Sequence, residues 1–117
     1  MSLADRPATP PAPPTPALTL RAFQQLIRDR YFATDSARGT AGTFLLFMEE
    51  VGELATAFHD NRAGKSKPIT PEQRDNLVEE FADVLAWLAT LANINGVDLQ
   101  EAVGKYTEEG RVEGTKE

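Results

Sequence analysis

The sequence predicts an all-α domain, built as a four-helix bundle. Large apolar residues recur at helical spacing in four segments, helix start and stop signals separate those segments, and no stretch alternates apolar and polar residues as a strand would. The first helix begins at Thr19, whose hydroxyl can cap it, and carries Leu20, Phe23, Leu26, Ile27 and Tyr31 on one face. Residues 35–42 read as a loop, small and polar with Gly39 and Gly42. The second helix runs from about Thr43 to His59 and is dense in large apolar side chains. Residues 61–71 form a connection that contains Gly64, Lys65, Lys67 and Pro68. Thr70-Pro71-Glu72-Gln73 then opens the third helix with a capping box and proline in the first turn, and that helix stops before Gly96. Asp98 caps a fourth, with Glu101 three residues on and Val97 and Ala102 placed as a weak hydrophobic staple.

With 117 residues the chain holds one domain. Residues 1–18 hold six of the eight prolines (Pro7, Pro10, Pro11, Pro13, Pro14 and Pro16) and little that could be buried, so a disordered tail is expected there. The helical domain is expected over residues 19–109, with a frayed tail over residues 110–117. No apolar run in the first segment suits a signal peptide or membrane anchor, which makes the cytoplasm the expected location. The formal charge of −6 argues against nucleic acid or an anionic membrane as partner. The absence of cysteine excludes disulfides, thiol catalysis and zinc–thiolate sites. A folded part this small also gains from oligomerisation.

The chemistry lies in two acid clusters. Glu49, Glu50 and Glu53 sit on the second helix, and Glu79, Glu80 and Asp83 on the third. At about 100° per residue, Phe47, Val51, Leu54 and Phe58 form an apolar stripe, matched by Leu77, Phe81, Val84 and Leu88. Glu50 and Glu80 lie about 60° to one side of their stripes, and Glu53 and Asp83 about 120° to the same side. Either pair alone would read as solvated surface; the shared offset points to four acids that face one another. Such a group cannot stay ionised without a cation, and hard oxygen donors select Mg²⁺, or Mn²⁺.

Glu49-Glu50-Val51-Gly52-Glu53-Leu54, followed by Glu80-Phe81-Ala82-Asp83-Val84-Leu85, resembles the signature of MazG-like nucleotide pyrophosphohydrolases, an all-α family. Residues 92–105 resemble the family's last helical hairpin, and the resemblance as a whole covers about residues 20–109. It implies a MazG-like fold in a homodimer or dimer-of-dimers tetramer. It also implies hydrolysis of a nucleoside triphosphate between the α and β phosphates, to clear non-standard or excess nucleotides. By the motif match, Glu50, Glu53, Glu80 and Asp83 would hold Mg²⁺, Glu49 would orient the attacking water or hold a further metal, and Lys105 would contact phosphate. One position departs from the pattern. Members often carry asparagine four residues after that lysine, where this chain has Glu109, followed by Gly110 and Arg111.

Other assignments compete. Trp87 continues the row of Glu80 and Asp83 and either packs at a core or interface or stacks on a nucleobase. Lys65 and Lys67 are solvated charges or a phosphate clamp, and the lone His59-Asp60 is too little for a histidine-based phosphohydrolase. A di-iron bundle would need Glu-x-x-His on two helices, and the chain has one histidine. The rival to the enzyme is a non-catalytic MazG-like module that binds metal or nucleotide or scaffolds a partner.

Overall fold

The computed structural model describes residues 17–61 and 68–108, all of whose regular elements are helical. They are α1 (Leu20–Asn61), α2 (Pro71–Ile94), α3 (Leu99–Ala102) and α4 (Gly104–Thr107). Apart from Ala17 and Leu18, the predicted tail at residues 1–18 lies outside the described residues, as do Lys65, Lys67, Glu109 and residues 110–117. No helix among the described residues is long and apolar enough to cross a membrane.

Thr19 caps α1 as expected, its Oγ1 accepting from the Ala22 N–H at 3.0 Å. The loop expected over residues 35–42 contracts to one residue, Gly39, whose φ of 81° and ψ of 173° are non-helical. That conformation is almost confined to glycine, so a single residue makes the whole corner. Asp35 stays helical because its carboxylate, which in a loop would compete for local backbone N–H groups, is taken up by Arg38 and Thr90. Gly39 thus divides α1 into arms over residues 20–38 and 40–61.

In α2 the capping box forms as read. The Gln73 N–H donates to Thr70 Oγ1 at 3.1 Å, and the Thr70 N–H donates to Gln73 Oε1 at 2.8 Å. The helix ends in a Schellman arrangement, with Val97 N–H to Ala92 O at 2.9 Å, Gly96 N–H to Asn93 O at 3.3 Å, and Gly96 at φ 67°. Asp98 then caps α3 through the Gln100 N–H at 2.9 Å.

The four-helix expectation is not met. The last helix is split at Val103 into two single turns, so the long rods are the two arms of α1 and α2. Gly104 lies where a continuous helix would need a good helix former, and the Tyr106 N–H bonds Val103 O in a tighter three-residue turn.

The second arm of α1 runs antiparallel to α2, with Thr40 bonded to Asn95 at one end and the Phe58 and Phe81 rings edge to face, 5.9 Å apart, farther along. The buried apolar residues are few and mostly small: Ile27, Ala57, Ala89 and Ala92. Polar side chains share the centre. Gln24 Nε2 donates to Asn93 Oδ1 at 3.0 Å and to Val97 O at 2.7 Å, and Gln24 Oε1 accepts from the Leu99 N–H at 2.8 Å. With Arg21 paired to Asp98 at 2.9 Å, this network ties the turn after α2 to the start of α1. Each satisfied hydrogen bond contributes only about 1 kcal/mol, but a buried group left without its partner costs more than that.

Candidate metal centre and adjoining cleft

The helix faces that meet combine the acid rows with part of the apolar stripes. Along the second arm of α1, Thr43 and Ala57 are buried and Leu46 and Glu50 half-buried, whereas Phe58 is 41 % exposed. On α2, Glu80 and Trp87 are half-buried and Thr90 buried, whereas Phe81 is 54 % exposed. Glu50 and Glu80 therefore lie toward the helix pair, Glu53 and Asp83 stand exposed at its edge, and the stripes beside them are half-buried except at Phe58, Phe81 and Leu88.

This packing brings one carboxylate oxygen each from Glu50, Glu80 and Asp83 to within 4.8 Å of one another. Oε2 of Glu50 and Oε2 of Glu80 are buried without a hydrogen-bond partner. Glu53 is exposed and outside that group of three, but its side chain makes hydrogen-bond contact with Glu50. Burial first, and then the charges of Glu53 and Asp83, push the Glu50 carboxyl above the usual range, with Glu80 adding to it. The Glu80 carboxyl is raised by the same three causes in the same order, with Glu79 adding to them.

The donor set fits a hard divalent cation. All the donors are carboxylate oxygens, two of them lack any partner, and a positive charge would relieve the repulsion that raises both glutamates. Opposite ligands of Mg²⁺ stand about 4.2 Å apart, so the three oxygens lie close to the span of one ion's shell.

Asp83 also lines a cleft of about 400 Å³ between the first arm of α1 and α2. Tyr31, Asp35 and Arg38 form one wall, and Asp83, Trp87 and Thr90 the other. Arg38 Nη1 donates to Asp35 Oδ1 and to Thr43 Oγ1, each at 3.2 Å, and Thr90 Oγ1 donates to Asp35 Oδ2 at 3.1 Å. The guanidinium carbon lies 5.1 Å from the centre of the Trp87 ring, within cation–π range.

The structure brings Glu50, Glu80 and Asp83 together, keeps Glu53 beside them and puts Trp87 in the adjoining cleft. Glu49 is exposed and outside the three-acid group. Lys105 is exposed on α4, its Nζ 5.7 Å from the centre of the Tyr106 ring, and does not line the cleft. His59 is exposed at the end of α1, 3.3 Å from Asp60. Sequence reasoning missed Tyr31, Asp35, Arg38 and Thr90. The signal was there: Ile27, Tyr31, Asp35 and Arg38 follow helical spacing, as do Asp83, Trp87 and Thr90, but a loop over residues 35–42 cuts the first series short.

Residues 39–109, more than half of the chain, match the family model of the MazG nucleotide pyrophosphohydrolase domain. The chain is also similar to the uncharacterized protein YvdC of Bacillus subtilis (strain 168), at 36 % identity over 66 residues. That match takes in 52 % of this chain and 62 % of YvdC.

Proposed function

Because the chain belongs to the MazG nucleotide pyrophosphohydrolase domain family, we propose that it hydrolyses nucleoside triphosphates with Mg²⁺, or Mn²⁺, as cofactor, releasing a nucleoside monophosphate and pyrophosphate. The observation that carries this reading is the pair of buried, unpartnered oxygens on Glu50 and Glu80, within reach of Asp83 at the mouth of a cleft. Glu50, Glu80 and Asp83 are the proposed ligands, and Glu53 completes the set from the exposed side. A divalent ion held there would neutralise phosphate charge and make water a better nucleophile.

The rest of the work falls to the chain. The acids must stay deprotonated to bind, and the cleft must hold the nucleoside so that the anhydride lies against them. A water oxygen then bonds to phosphorus, the anhydride P–O bond breaks, and the proton goes to a nearby carboxylate. Glu49 is the proposed residue that orients the water, and Lys105 is proposed to reach phosphate. Because Lys105 lies away from the cleft of its own chain, a phosphate contact would be made across an assembly. The exposed Phe44, Leu45, Met48, Phe81 and Leu85 support such an assembly, a homodimer or a dimer of dimers. The clearing of non-standard or excess nucleotides, and a cytoplasmic location, belong to the same proposal.

The deciding experiment is pyrophosphate release from a panel of standard and modified triphosphates with millimolar Mg²⁺. Turnover that disappears in Glu50→Gln and Asp83→Asn is the expected result. No turnover of any triphosphate by the folded, metal-loaded protein would leave the non-catalytic binding module as the better reading.

A further inference from the structure

We propose that the cleft beside the acids seats the nucleoside end of the substrate, and that Arg38 binds the base by donating from Nε and Nη2 to a pair of adjacent acceptors. This rests on the triphosphate reading of the acid site. Asp83 belongs both to the acid group and to the cleft, so a ligand with its phosphates at the acids has its other end directed along the cleft. Thr90 follows Asp83 by seven positions along α2, about 10 Å of wall. Trp87 lies midway along it, with the Arg38 guanidinium over one side of its ring, and an aromatic face is the kind of surface on which bases stack.

The hydrogen bonds decide which base the cleft takes. Asp35 has a side chain only 6 % exposed, and each of its oxygens is already engaged, one by Arg38 and the other by Thr90. Thr90 donates its hydroxyl proton to Asp35. Arg38 Nη1 is held between Asp35 and Thr43, and this fixes the guanidinium plane. Its Nε and Nη2 make no hydrogen bond among the described residues. Arg38, which lines the cleft, thus has two adjacent donors left for a ligand. The more exposed Tyr31 and Thr34 hydroxyls can rotate to donate or accept, so they discriminate little.

A donor–donor fork matches a carbonyl oxygen next to a ring nitrogen that carries no proton. Guanine presents such a pair at O6 and N7, and cytosine at O2 and N3. Uracil and thymine set an N–H donor beside each carbonyl, and adenine sets its amino group beside N7, so each would leave an arginine donor facing a donor. Arg38 is therefore the specificity residue, and Asp35, which acts through it, a positioning residue.

The chain has one tryptophan, Trp87, so intrinsic fluorescence reports directly on the cleft. The full chain with Mg²⁺ would be titrated with the non-cleavable α,β-methylene triphosphates of cytidine, guanosine, uridine and adenosine. The cytidine or the guanosine analogue should bind tighter than the other two by about 5- to 150-fold, and the better of that pair names the base. Arg38→Lys keeps the charge but not the fork, and should bring the four affinities to within a few-fold of one another. Asp35→Asn should move them part of the way. Circular dichroism checks that both variants stay helical.

Equal affinities in the unsubstituted protein would overturn the proposal, as would binding of none of the four. A uniform loss across all four bases in Arg38→Lys would assign Arg38 to phosphate and overturn it as well. Because the analogues cannot be cleaved, these outcomes are independent of turnover. Base discrimination without pyrophosphate release from true triphosphates would sink the hydrolase reading alone, and turnover without discrimination would sink this one alone.

Discussion

At the scale of single residues, Glu50 and Glu80 hold the molecule's electrostatic strain. Both carboxyls are raised, by burial first and then by the charges of Glu53 and Asp83, so the folded state holds protons that the unfolded chain gives up. The stability tied to those protons is full below the ordinary glutamate range and is lost as pH rises through the raised values. The metal-free protein is therefore expected to melt at progressively lower temperature as pH climbs above that range, and Glu80→Gln should flatten the slope. A metal-free melting curve that rises over that window would contradict the arrangement. Asp98 has the opposite sign. The Arg21 hydrogen bond holds its carboxyl below the usual range, so its contribution is present near neutral pH and lost in acid. Mg²⁺ at about a hundredfold its dissociation constant should add about 2.7 kcal/mol, read as an upward shift in melting temperature that Glu50→Gln abolishes.

At the scale of elements, Gly39 and Thr70 make a contrast. Gly39 is held at φ 81° and ψ 173° with nothing within 4 Å of where a Cβ would stand, so an added methyl meets no steric wall and the difficulty is the backbone itself. Gly39→Ala should destabilise by about 1–3 kcal/mol in chemical denaturation. It should also disturb the cleft, because Arg38 is the preceding residue. Thr70→Ala removes a capping box at the far end of α2 and should cost about 1 kcal/mol with turnover per folded molecule unchanged. Equal effects of the two substitutions on turnover would argue that the Gly39 corner does not position the cleft. The match of Glu50 with Glu80 was legible in the sequence, since a common offset on two antiparallel helices turns both toward the helix pair, while Glu53 and Asp83 stay exposed. The role of the stripes was not. Helical spacing shows that Phe58, Phe81 and Leu88 share faces with other apolar residues, but not whether another element of the same chain covers them.

At the scale of the whole molecule, the described residues do not bury enough. Among the described residues the largest fully buried side chain is that of Thr43, while Phe44, Leu45, Met48, Phe81 and Leu85 are each 40 % exposed or more. In the proposed assembly this apolar surface would form half of a core that a second copy completes. The protein should sediment as a dimer or tetramer. Leu45→Lys, at a position 69 % exposed and one turn before Glu49, should shift it toward monomer and lower its melting temperature while keeping its helical content. A monomeric, equally stable parent protein at micromolar concentration would rule the assembly out.

By itself the sequence determined the helical class and the capped ends of α2, and it singled out Glu50, Glu80 and Asp83, which the fold brings within 4.8 Å of one another. These are local matters of spacing, caps and turn chemistry, carried by residues a few positions apart. The tertiary structure decided what depends on distant parts of the chain. It kept Asp35 inside a helix, because Thr90, fifty-five positions away, takes up its carboxylate. It reduced the last helix to two turns, and it drew Glu50 and Glu80 half inward while Phe58, Phe81 and Leu88 of the apolar stripes stayed exposed. It also placed Arg38 over Trp87, and so opened beside the acids a cleft whose two walls come from separate elements, each legible as a helical row but not as a pair.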